Sequence, residues 1–180
     1  EASAQVSVCK SRASPCFHEI AEFGSMTLDL HLSRSTGLRQ TGLPRRATFQ
    51  RWIETTLRMA KRRGNSEVSI RLVDADEGRT LNRQYRHRDH ATNVLSFPVG
   101  LEPGISLPLL GDLAICAPVV AREAREQGKP LRDHYAHMTV HGILHLLGHD
   151  HENDVDAERM ENLERKILAE LGFADPYVER

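Results

Sequence analysis

Long apolar runs are missing from this sequence. Charge or glycine interrupts every hydrophobic stretch well short of the roughly 20 residues that a bilayer-spanning helix needs, which excludes a helical membrane protein. Cysteine is scarce too: there are three in 180 residues, and two of them, Cys9 and Cys16, fall within the first 25. Those 25 residues lack the continuous apolar core of a secretory signal and end Glu22-Phe23-Gly24-Ser25 directly before Met26, a tetrapeptide that two adjacent restriction sites encode. Residues 1–25 are therefore expected to be a vector-derived leader, a natural targeting extension being the alternative, and residues 26–180 a single domain. Without the leader Cys116 is the only thiol, so neither a disulfide framework nor a Cys-x-x-Cys knuckle is available, and a reducing, cytoplasmic setting is expected. Internal repeats and low-complexity tracts are also absent.

Net charge is nearly absent as well, at −1, but it is unevenly laid out. From Met26 to Val73 ten Lys/Arg face three Asp/Glu, whereas from Asp74 onward twelve face nineteen. A basic half within a neutral whole is compatible with local contact to an anionic polymer and argues against general coating of nucleic acid.

Alternation of Leu28, Leu30 and Leu32, and again of Val68, Ile70 and Leu72, predicts two half-buried strands. Between them Phe49, Trp52, Ile53, Leu57 and Ala60 recur at helical spacing, with Gly64-Asn65 as the expected stop. Asp74 or Asp76 is placed to cap a short helix carrying Leu81 and Tyr85. Asn93–Phe97 and Gly111–Cys116 read as further strands, and residues 99–110 as a loop. Three helices follow: Pro118–Gln127, one from Pro130 to at least His145, and a terminal one striped by Met160, Leu163, Ile167, Leu168 and Leu171 with Gly172 at its end. Interleaved strands and helices predict a sheet layered with helices, α+β or α/β.

Six of the ten histidines crowd into residues 134–151. Residues i and i+4 of a helix lie about 40° apart and about 6 Å along the axis, so His141 and His145 can face one ion. A third ligand on the same straight helix would lie too far along it, so the chain must turn, and Gly148 is suited to that turn. After it, either His149 or His151 can close a three-histidine site; the spacing His141-x3-His145-x5-His151 resembles the extended zincin arrangement and favours His151. Three neutral imidazoles leave a tetrahedral ion one open position, the geometry of catalysis. Such ligands suit Zn²⁺, and also Ni²⁺, Cu²⁺ and Fe²⁺. His134 and His137, upstream on the same helix, read as packing residues or as supports for the ligands.

A zinc peptidase of the His-Glu-x-x-His type carries its general base directly after the first ligand; here that position is Gly142, which disfavours a peptidase. Asp150 can orient a ligand imidazole or be a plain surface carboxylate. Asp112 can be a site carboxylate at the start of a strand but reads by default as a turn residue, Ser96 as structural and Cys116 as a buried thiol.

The run HGILHLLGHDH resembles the signature of the YbeY family of metal-dependent, single-strand-specific endoribonucleases that act in ribosomal RNA maturation. LNRQYRHRDHATNVLSFP (Leu81 to Pro98), LLGDLAIC (Leu109 to Cys116), EQGKPLRDHYAHMTVHG (Glu126 to Gly142) and LGFADPY (Leu171 to Tyr177) extend the likeness over most of Met26 to Tyr177. The resemblance implies one Zn²⁺ held by His141, His145 and His151, and a functional role for Arg86 in YRHRD. Arg86 suits such a role, because a guanidinium stays charged and grips phosphate through two parallel N–H donors. His149 departs from the family, which commonly has Tyr there, and adds a fourth imidazole. The fold implied is α+β: one domain with a small mixed four-stranded sheet, four to five helices and a zincin-like metal helix.

By the same resemblance the substrates would be single-stranded RNA and rRNA precursors, the basic half would flank the RNA cleft, and the setting would be the cytoplasm. A role in ribosome quality control, with the small ribosomal subunit and an assembly GTPase as partners, is implied with it. The alternatives are a non-enzymatic ribosome-assembly factor with structural zinc, or a metallohydrolase of another ester or amide.

Overall fold

Pleating sends alternate residues of a strand to opposite faces, and the chain uses both. The computed structural model describes residues 27–39, 41–100, 107–149 and 153–178; the expected leader lies outside them. β1 (Leu28–Arg34) runs parallel to β2 (Ser66–Val73), β2 parallel to β4 (Leu109–Cys116), and β4 antiparallel to β3 (Val94–Pro98). The sheet order is β1-β2-β4-β3, a mixed sheet whose antiparallel member lies at one edge. β4 begins two residues before the expected Gly111, and its pairing with β2 shifts register between Glu67 and Val68, so Leu110 is accommodated as a bulge. Asp112 consequently lies inside β4, opposite Phe97, and not in a turn.

Val68, Ile70, Leu72, Val94, Leu113 and Ile115 point to the main core, where α1 (Arg46–Met59), α4 (Leu131–Leu146) and α5 (Asp154–Glu170) cover them. Phe49, Trp52, Ile53 and Leu57 of α1 are all fully buried there. The opposite face is smaller: Val73, Leu95, Ala114 and Cys116 pack with Val119 of α3 (Ala117–Glu126), Ala91, Phe97, and Leu81 of α2 (Ala75–Arg86). The result is α+β, as the resemblance implies, with four strands and five helices among the described residues.

α4 is the central element. Gly142 lets it approach the sheet: a Cβ there would stand 2.9 Å from Leu113 Cδ2 and 3.4 Å from Val94 Cγ2. The missing base position therefore has a packing cause. α4 ends where Gly148 takes φ +83°, donating to the His145 carbonyl while His149 N–H reaches back to Leu144 O at 3.0 Å. α1, by contrast, ends before the expected Gly64. Lys61 adopts φ 57°, and the N–H groups of Lys61 and Arg62 close onto Arg58 O and Leu57 O at 3.1 and 2.9 Å. No helix among the described residues is long and apolar enough to cross a membrane.

Candidate metal centre and cleft

The histidines of α4 form a ladder along one helix face. His134 Nε2 meets Glu123 Oε2 at 2.9 Å, His137 Nε2 meets Glu164 Oε2 at 3.1 Å, and His141 Nδ1 meets Glu164 Oε1 at 2.8 Å. One turn on, the Nε2 atoms of His141 and His145 stand 3.2 Å apart, with their rings nearly perpendicular. The expected pairing of His141 with His145 is thus present. His134 and His137 lie back from it: buried His134 is held by Glu123, while His137 shares Glu164 with His141.

Glu164, on α5, is wholly buried and accepts from His137, His141 and the Tyr177 hydroxyl. Burial alone would raise its pKa; the hydrogen bonds from His137, His141 and Tyr177 outweigh that and hold the carboxyl down at about 2, ionised. An ionised carboxylate only accepts, so His141 Nδ1 carries a proton and its Nε2 is the ring atom turned towards His145. Burial, partly offset by Glu164, lowers the pKa of His137 and keeps that ring neutral. Carboxylate–histidine support of this kind is what orients metal ligands.

The donor set fits zinc. Two imidazole nitrogens about 2.0–2.1 Å from one tetrahedral Zn²⁺ stand about 3.3 Å apart, close to the separation of His141 Nε2 and His145 Nε2. Among the described residues, His, Cys, Asp and Glu form no group of three that could hold a metal. His151, the expected third ligand, lies outside the described residues, as does Asp150.

His145 opens onto a cleft of ≈ 600 Å³ lined by Arg86, Ser96, Pro98, Val99, His149 and the end of α4. Arg86 comes from the last residue of α2 and His145 from α4, so the cleft straddles edge strand β3. Ser96 also donates to Gly142 O at 3.4 Å, consistent with its structural reading. Burial raises the pKa of the Cys116 thiol, which is buried away from the cleft on the α2 side of the sheet. Of the basic half, expected beside the cleft, β1 lies at the edge of the sheet opposite β3, while Arg62 reaches Leu107 O just ahead of β4 at 3.1 Å. The arginine that lines the cleft is Arg86, with Arg83 and Arg88 its neighbours around the end of α2, all three exposed.

Sequence reasoning missed Glu164 and Tyr177. Glu164 sits four residues from both Met160 and Leu168 and three from Ile167, squarely on the apolar stripe of α5. A charged residue in that stripe was the available signal. Tyr177 had none, because the C-terminal segment reaches Glu164 only through the fold.

The α+β domain thus places two helix-borne imidazoles beside a cleft that also holds an arginine. Residues 39–172 match the family described as Endoribonuclease YbeY, and the chain belongs to that family. Among its relatives is Endoribonuclease YbeY of Stenotrophomonas maltophilia (strain R551-3), 58% identical over 158 residues that span 86% of this chain and 96% of the relative. The Alkalilimnicola ehrlichii protein of the same name is 57% identical over 152 residues, 83% of this chain and 91% of its own. The fold is also similar to a solution structure from Thermotoga maritima, with a TM-score of 0.53, 25% identity, and coverage of 83% of this chain and 99% of that one.

Proposed function

We propose that this protein is a zinc-dependent endoribonuclease that cleaves single-stranded RNA during ribosomal RNA maturation. The observation that carries the reading is the 3.2 Å convergence of His141 and His145, fixed from behind by Glu164, at a cleft that Arg86 shares. His141, His145 and His151 would hold the ion. When bound, zinc supplies Lewis-acid charge at the phosphoryl group and acidifies water. The protein's own groups do the rest. Arg86 binds the negative charge that spreads over the phosphate during displacement. Glu164 holds the tautomer of His141, and β3 and the α4 terminus wall the cleft so that an RNA strand enters from the sheet edge. Action on ribosome precursors in the cytoplasm, in quality control alongside the small subunit and an assembly GTPase, belongs to the same reading.

The test is multiple-turnover cleavage of a single-stranded rRNA-precursor fragment, stopped by a chelator and restored by zinc. His145→Ala serves as the control for contaminating nuclease and is expected to lose both stoichiometric metal and cleavage. A wild type that fails to turn over, or a His145→Ala protein that cleaves equally well, would overturn the proposal.

A further inference from the structure

We propose that Tyr85, Phe97 and the loop from Arg86 to His90 form a subsite that stacks an unpaired base and holds the adjoining phosphates, seating the RNA strand beside the cleft. This rests on the RNA-cleaving reading and extends it by saying where the strand lies. Tyr85, in the last turn of α2, is 57% exposed, and its ring stands edge-to-face on Phe97 at 4.9 Å. Phe97 sits on β3 between Ser96 and Pro98, both of which line the cleft, and strand alternation turns its ring to the α2 side of that edge. An aromatic face left in water is thus braced one strand away from His145.

The loop beside it is rigid. His87 occupies the left-handed region at φ 58°, ψ 29°, unusual for a residue other than glycine. Buried Asn82 pins the turn: its carbonyl accepts from His87 and Arg88, and its side-chain amide donates to His90 O at 2.7 Å. Asp89 is gripped by Arg79 at 2.6 Å and approached by Arg83 at 4.0 Å. Neither Arg86 nor Arg88 has a carboxylate partner among the described residues, and both are exposed. A braced aromatic platform flanked by exposed guanidinium groups on a pinned loop has the two components that bind single-stranded nucleic acid: a π-face for any base and charge for the backbone. Duplex bases are stacked on one another and cannot use it, so the subsite favours single strands.

The experiment measures binding of a 2′-O-methyl RNA strand, verified intact after each measurement, with 2-aminopurine placed at successive positions, and of the same sequence as a duplex. The wild type is expected to quench 2-aminopurine at one or two positions. Tyr85→Leu keeps an apolar cover on Phe97; it is expected to abolish that quenching, to weaken single-strand binding at least about fivefold, and to leave duplex binding unchanged. Tyr85→Phe restores quenching and affinity. Arg88→Ser is expected to weaken binding and to reduce the slope of log affinity against log salt by about 1, which tests the loop without touching the ring. Wild-type quenching and affinity in Tyr85→Leu would overturn the base platform, and an unchanged salt slope in Arg88→Ser would overturn the phosphate contact. A wild type that binds no single strand would overturn the RNA reading itself and this subsite with it.

Discussion

Glu164 has no exposed surface, yet it keeps its charge, because three donors converge on its two oxygens. Glu164→Gln preserves the volume but turns an acceptor-only group into one carrying N–H donors against the N–H of His137 or His141. Zinc affinity is expected to fall about 10–100-fold while far-UV circular dichroism stays native, as measured by chelator competition. Unaltered affinity would remove Glu164 from the metal centre. Arg86 acts on a different quantity. Arg86→Glu is expected to leave metal content and melting temperature as they are and to slow cleavage by at least about 100-fold, the typical cost of losing a donor to developing charge. Arg86 was legible in YRHRD only through the family resemblance, since nothing in its spacing separates it from the other arginines. The carboxylate behind His141 was legible in principle, as a charge in an apolar stripe.

Helix ends show where local sequence suffices. Asp74 accepts from Glu77 N–H at 2.9 Å and from the Ser35 hydroxyl at 2.8 Å, capping α2 as its position before the helix suggests. Those bonds, the one from Glu77 first, lower its pKa from 3.8. A carboxylate with a depressed folded-state pKa contributes stability that is fully present above its unfolded value and is lost as pH falls through the folded one. Asp74→Ala is expected to cost about 1 kcal/mol at neutral pH, with the gap from wild type closing below about pH 4 in urea titrations. A gap independent of pH would show that the carboxylate is not the cap. The glycines after α4 and α5 stop their helices as anticipated, with Gly148 and Gly172 at φ +83° and +82°. α1 did not wait for its glycine: a turn at Lys61 ended it, because the packed stripe runs out at Met59 and Ala60 and tertiary contact outweighs the small strain of a left-handed lysine.

The molecule as a whole is arranged around one close approach, that of α4 to β4. Gly142→Ala puts a methyl 2.9 Å from Leu113 Cδ2, inside contact distance in a packed core. It is expected to destabilise the fold by about 1–3 kcal/mol in urea unfolding, and to weaken zinc binding by shifting His141 and His145 together. A neutral substitution would mean that α4 has room to move.

Periodicity together with cap and glycine signals located the strands, the helices, the His141–His145 pair and the turn at Gly148. Each depends on residues a few positions apart, and backbone geometry makes those neighbours in space whatever surrounds them. Sheet order did not follow from it. β4 pairs between β2 and β3, which sends β1 to the edge away from the cleft and brings Arg86 to it. The contacts of Glu164 with α4, and of Tyr177 with Glu164, likewise join residues 13 or more positions apart, chosen by how the faces pack. Burial of a shared apolar face decides such partners, and no single segment carries that information.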